Sequence, residues 1–245
     1  MRVLLKISYL GTNYHGWQVQ PNGITVQECL QNALEAVYKV RPGVTGCSRT
    51  DAGVHALEFY CHYDTDVMIP ENGLIAALNS VLPKDIVVLS CCYVDNDFHA
   101  RYDCVGKEYV YKICNRVIPS AFDFDRCWHI ARPLDIETMN VFAKGLIGTY
   151  DFIGFSSSGR TVEDTVRTIT NCHVSEENGI VTISVSANGF LYNMVRIIVG
   201  TLIDVSDGKI DKNSAKDVIG SKDRNRAGAT APSHGLYLNR VFYNK

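Results

Sequence analysis

No stretch of this 245-residue chain approaches the roughly 20 consecutive apolar residues that a membrane-spanning helix requires. There is no C-x-x-C pair and no H-E-x-x-H motif, and the seven histidines are scattered without ligand spacing, so a metal site is disfavoured. The P-loop fingerprint and G-x-S-x-G are also missing, which removes phosphate-cradling glycine loops and the nucleophile elbow of serine hydrolases. An excess of either charge is lacking too. Lys+Arg number 24 against 26 for Asp+Glu, a net of −2, and this is not the footprint of a general nucleic-acid binder. The nine cysteines are an odd number, and Met1-Arg2 runs straight into an alternating segment with no leader. They read as reduced thiols, and the chain as a soluble cytoplasmic protein without a disulfide framework.

With 46% hydrophobic and 20% charged residues, the composition is that of an ordinary globular protein of one large or two small domains. Val3 to Tyr9 alternates as a strand. Thr25 with Glu28 makes a capping box before a helix whose apolar positions are Val26, Leu30, Ala33, Leu34 and Val37. Extended runs flank the polar turn 48–53, a short helix follows Pro70, and Ile86 to Tyr93 is again a strand. The second half repeats this grammar. A strand at 108–113 and a helix at 135–147 precede strands at 168–174 and 180–186, joined by Glu176-Glu177-Asn178-Gly179. A helix at about 190–205, a small one at 212–219 and a closing strand at 236–243 complete it. The expectation is an α+β protein of two ferredoxin-like (RRM-like) split-βαβ subdomains, 1–104 and 105–245. Their sheets should be largely antiparallel and adjoining, around a central cleft.

Three constellations could carry chemistry. Asp51 stands in Ser48-Arg49-Thr50-Asp51-Ala52-Gly53, a turn between strands; it either bonds its own backbone or is presented for catalysis. Arg49, two residues earlier, would favour the ionised carboxylate, the form that acts as nucleophile or base. Arg196 lies in a strongly apolar helix, with Asn193, Tyr192, Val199 and Gly200 on its face. It is either a structural arginine or the partner of a functional carboxylate. Tyr109 and Tyr111 share one face of a strand, as core aromatics or as a platform on which a base stacks. Residues 1–100 hold six basic and ten acidic side chains, and 101–245 hold eighteen and sixteen. A polyanion would therefore lean on local patches, at 101–116 and at Lys209, Lys212, Lys216, Lys222, Arg224 and Arg226.

Taken together, these segments resemble the tRNA pseudouridine synthase A family over nearly the whole chain. The resemblance is carried by Tyr14-His15-Gly16-Trp17-Gln18, by Thr25-Val26-Gln27 and by the run from Ser48 to Ala56. It continues through Phe98-His99-Ala100-Arg101, Lys107-x-Tyr109-x-Tyr111, Asp151-Phe152, the stretch from Asn188 to Arg196 and Gly235-Leu236-Tyr237-Leu238. It implies isomerisation of uridine to pseudouridine at positions 38, 39 and/or 40 of the tRNA anticodon stem-loop, by a homodimer needing neither cofactor nor metal. It further implies that Asp51 is the catalytic aspartate and nucleophile, and that Tyr109 stacks on the target uracil. Arg196 would pair with the catalytic carboxylate, and Arg49 would help displace the target base. Two positions depart from the family pattern: Leu10, where the family often has Asp, and the segment Asp151 to Phe155, a looser form of a Ser-containing motif.

Overall fold

Period-two alternation buries Val3, Leu5, Ile7 and Tyr9 together, and this makes Arg2–Tyr9 the first strand, β1. The computed structural model describes residues 1–159 and 163–244. They form two compact units: Met1–Val105 with the stretch from Tyr237 onward, and Gly106–Leu236.

In the first unit, β1 is followed by α1 (Val26–Tyr38), β2 (Thr45–Gly46), β3 (His55–Asp64), α2 (Glu71–Val81) and β4 (Ile86–Val94). The strands β4 and β3 flank β1, both antiparallel to it. The free edge of β3 takes antiparallel β2 at Cys61 and His62 and, at His55 and Ala56, a parallel strand from the far end of the chain. The Thr25 side chain accepts from the Glu28 amide, so α1 starts at the expected cap, and Val26, Leu30, Ala33 and Leu34 face the core. Left-handed Lys39 (φ 61°) ends it.

The second unit contains β5 (Cys104–Cys114) from Gly106 onward, β6 (Trp128–His129), α3 (Ile136–Gly145), β7 (Gly148–Asp151), β8 (Val166–Glu177), β9 (Ile180–Ala187), α4 (Met194–Ser206) and α5 (Ala215–Ser221). β5, β9, β8 and β7 lie side by side, all antiparallel. Asn178 and Gly179 both take positive φ, 51° and 72°, as a two-residue hairpin between β8 and β9 demands. Apolar periodicity from Phe190 suggests a longer α4 than exists. Asn193 adopts the left-handed conformation (φ 61°), so the chain turns at 192–193, with the Met194 amide donating to the Leu191 carbonyl at 3.1 Å, and Arg196 falls in the first helical turn. The last strand, β10 (Leu236–Tyr243), was expected with the second half; from Tyr237 it belongs to the first unit, where it pairs with β3. No helix among the described residues is long and apolar enough to cross a membrane.

His62 on β3 is buried, and its Nδ1 accepts the Ala100 amide at 3.1 Å. Burial, aided by the charges of Arg2 and His99, pushes its pKa from 6.5 down to about 4. The folded chain therefore keeps His62 neutral while the unfolded chain binds a proton below about pH 6.5. Stability should be intact above that pH and decline as pH falls towards about 4, by at most roughly 3 kcal/mol. Urea midpoints measured across this range should show the decline. In His62→Asn, whose amide oxygen can accept the same N–H, the slope should flatten.

Candidate active site

Because Thr45 faces His62 and Gly46 faces Cys61, the ends of the loop 47–54 are fixed by β2 and β3. The segment after β1 fixes its middle. The Trp17 amide donates to the Thr50 carbonyl at 3.1 Å, and the Gly53 amide to the Tyr14 carbonyl at 3.2 Å. Buried Thr50 Oγ1 shares a 2.8 Å hydrogen bond with the Tyr9 hydroxyl. The Val54 amide closes the turn on the Asp51 carbonyl at 3.2 Å. Fully buried His55 follows, its Nδ1 accepting the Gly11 amide at 2.9 Å and its ring 4.6 Å from that of Tyr237. On this backbone Asp51 is half-buried and Arg49 exposed. The backbone that carries the Asp51 carboxylate is thus held from both sides of the turn.

Two glycines permit the approach. A Cβ on Gly16 (φ +84°) would stand 2.3 Å from the Thr50 carbonyl oxygen, and one on Gly11 would stand 1.9 Å from that of Val54. Of the two, Gly16 belongs to the quoted Tyr14–Gln18 motif, but its contact with Thr50 cannot be read from spacing.

In the second unit Tyr109 sits opposite Val185 on β9, 6% exposed, with the Phe190 ring edge-on to it at 4.9 Å. Tyr111, on the same strand face, is wholly buried and donates its hydroxyl to the Pro232 carbonyl at 2.8 Å. Burial drives its phenol pKa well upward, and the nearby Arg196 charge acts in the opposite direction. Half-buried Arg196 donates Nε to the Ala231 carbonyl at 2.7 Å and Nη1 to Asn193 Oδ1 at 2.9 Å. Asn193 Nδ2 in turn donates to Ser157 Oγ at 3.0 Å. Neither Ala231 nor Ser157 was legible as part of the site: one contributes only a backbone oxygen, and the other lies 36 positions from Asn193.

Thus Arg49 and Asp51 share one loop of the first unit, while Tyr109 and Arg196 lie on separate elements of the second. The basic patch expected at 209–226 is partly engaged in building the fold. Lys209 pairs with Asp204 and Asp207, and Lys222 with Asp151 at 2.8 Å. Arg224 donates to the carbonyls of Ala227 and Gly228. Among the described residues no group of three or more His, Cys, Asp or Glu could hold a metal ion.

Gly16→Ala should lower stability by more than about 1 kcal/mol, since both its φ and the space beside Thr50 forbid a side chain. Gly43→Ala, with nothing within 4 Å of the added carbon, should be neutral or slightly stabilising. Thermal and urea unfolding of the pair checks this.

Comparison with known proteins bears on the same residues. Residues 6–103 and 142–244 match the family described as tRNA pseudouridine synthase; the matched stretches include Arg49, Asp51 and Arg196, but not Tyr109. The tRNA pseudouridine synthase A of Thermoanaerobacter sp. (strain X514) is 48% identical over 241 residues, 98% of this chain and 99% of that protein. The tRNA pseudouridine synthase A 2 of Clostridium perfringens (strain 13 / Type A) is 46% identical, again over 98% and 99%. That of Staphylococcus saprophyticus, named tRNA pseudouridine synthase A, is 40% identical over 99% of this chain and 91% of its own length. Among solved structures, a chain from the crystal structure of a Cbf5-Nop10-Gar1 complex is similar at a TM-score of 0.38 and 14% identity, over 96% of this chain and 48% of that one, too distant to bear on function. With some four-fifths of its length inside the family match and relatives aligned nearly end to end, the chain belongs to the tRNA pseudouridine synthase family.

Proposed function

We propose that this protein isomerises uridine to pseudouridine at one or more of positions 38, 39 and 40 of the tRNA anticodon stem-loop, with Asp51 as the nucleophile. The observation that carries the reading is Asp51 itself. It is a half-buried carboxylate on a loop pinned at Thr50 and Gly53, within a stretch matching the family.

The reaction breaks the N1–C1′ bond, turns the freed uracil and joins C5 to C1′; N1 gains a proton and C5 gives one up. An ionised carboxylate can open this sequence by adding to C1′ or to C6, or by removing a ribose proton. Arg196 is the cation that keeps that carboxylate ionised and oriented, a role suited to a planar fork already bonded through Nε and Nη1. Tyr109 stacks on the uracil while it turns, and Arg49 assists the displacement of the base from its neighbours. Phosphate contacts come from cations such as Lys212, Lys216 and Arg226, beside those committed to the fold. Each unit is read as a split-βαβ subdomain, and the functional form as a cytoplasmic homodimer. In favour of the dimer, Val117, Ile118, Phe122 and Phe124 of the second unit are between 77% and 83% exposed, apolar side chains that a partner surface would cover.

Asp51→Asn should depress tritium release from tRNA carrying C5-labelled uridine by at least about a thousandfold, with tRNA affinity retained. Product formation at the wild-type rate would refute the assignment. Tyr109→Ala should lose the stacking contribution of roughly 1–3 kcal/mol, and Tyr109→Phe should retain it. Transcripts with a single uridine at position 38, 39 or 40 will identify the positions accepted.

A further inference from the structure

α4 is apolar almost throughout, with Ile197, Ile198, Val199 and Leu202 all fully buried, yet it carries Arg196 in its first turn. We propose that Gly200, Thr201 and the loop 227–231 that they receive form a positioning device for the Arg196 guanidinium. The proposal rests on the role given to Arg196 above.

The loop meets the helix backbone to backbone. A Cβ on Gly200 would stand 1.7 Å from the Ala229 carbonyl oxygen, and one on Gly228 would stand 2.5 Å from the Gly200 carbonyl carbon and oxygen. No flexible side chain lies between them to yield, so the contact exists only because both positions lack a Cβ. Thr201, wholly buried beside them, donates its hydroxyl to the Ile197 carbonyl at 2.7 Å and accepts the Gly228 amide at 2.9 Å. A hydroxyl can do both at once, whereas an aliphatic side chain of the same shape can do neither. From its other side the loop is held by Arg224, which donates to the carbonyls of Ala227 and Gly228 and to Thr230 Oγ1.

The result is delivered at Ala231. Its amide donates to the Arg196 carbonyl at 3.1 Å, and its carbonyl accepts Arg196 Nε at 2.7 Å. With Nε bound there and Nη1 bound to Asn193, two directions of the planar fork are set, and its plane with them. Ordinary core packing needs neither a guanidinium at 196 nor a hydroxyl at 201. A small displacement of the loop rotates the guanidinium, and misplacement by about an ångström can cost on the order of a hundredfold in rate.

The test compares Gly200→Ala, Thr201→Val and Thr201→Ser with the wild type. The readouts are solvent exchange of the Arg196 Nε–H by NMR on protein carrying 15N-labelled arginine, and the pH profile of tritium release from labelled tRNA. The signal is assigned by its loss in Arg196→Gln. In the wild type the Nε–H should exchange slowly. Gly200→Ala and Thr201→Val should hasten that exchange and lower kcat by at least about tenfold. They should also move the acid limb of the profile up by about one pH unit, because the reacting carboxylate is held ionised less well. KM for tRNA should be unchanged, and Thr201→Ser should restore both readouts. Should Gly200→Ala fail to fold, the Thr201 pair decides. Unchanged exchange in the folded variants would overturn the proposal, as would faster exchange with wild-type kcat, or a fall in kcat with the acid limb unmoved. Wild-type turnover in Arg196→Gln would instead remove the role of Arg196, a failure distinguishable because Nε–H exchange reports the clasp directly.

Discussion

Backbone laid directly on backbone, with no side chain between, is the constraint on which the candidate functional regions of both units depend. In the first unit the Trp17 amide reaches the Thr50 carbonyl beside a glycine at position 16. In the second, Gly200 of α4 lies against Ala229 and Gly228. Contacts of this kind tolerate almost no adjustment, since a peptide group has no rotamers with which to accommodate an intruding carbon. They suit residues whose direction matters more than their stability, and one lies next to Asp51 while the other lies next to Arg196. The cost is borne by the remainder of each unit, where Phe59, Leu30, Leu34 and Leu74, and likewise Phe142, Ile183 and Leu202, form densely buried cores.

Charge in this protein is handled locally. The net of −2 conceals cations that are already committed. Arg224 acts as a structural clasp through three hydrogen bonds from Nη1 and Nη2, Lys222 holds Asp151, and Lys209 bridges two aspartates. The side-chain hydrogen bond from Lys222 holds the Asp151 carboxyl below the usual range, and that from Arg132 does the same for Asp207. The Lys222–Asp151 pair, open to water on its lysine side, adds little to stability, whereas Arg132 grips Asp207 with two hydrogen bonds. Their effect is to withdraw positive charge from the pool open to an RNA phosphate, so a simple count of basic residues in 209–226 overstates what that surface offers a polyanion.

Much of the framework follows from short-range rules. The Thr25 cap, the Pro70 start of α2 and the Asn178-Gly179 hairpin stand where local chemistry puts them. Elements lacking such punctuation were less legible. β6 has two residues and β7 four, too few for any period to register. At the start of α4, Leu191 and Met194 keep an apolar rhythm across a residue, Asn193, that has left helical geometry, so periodicity overstates the helix there.

For the candidate site residues the division falls elsewhere. The amino-acid order by itself determined which groups are chemically able to act: a carboxylate in a turn at 51, a guanidinium in an apolar helix at 196, and a tyrosine at 109 on a strand. It also determined the family to which they belong, because that information is carried by identity and spacing along the chain. Only the tertiary structure decided what holds them. The Tyr14 carbonyl, the Thr50 carbonyl and the Ala231 carbonyl belong to the backbone common to every residue and leave no trace in composition or period. Their partners lie tens of positions away, brought within hydrogen-bonding distance by the packing of a whole unit, a collective result that no local stretch encodes.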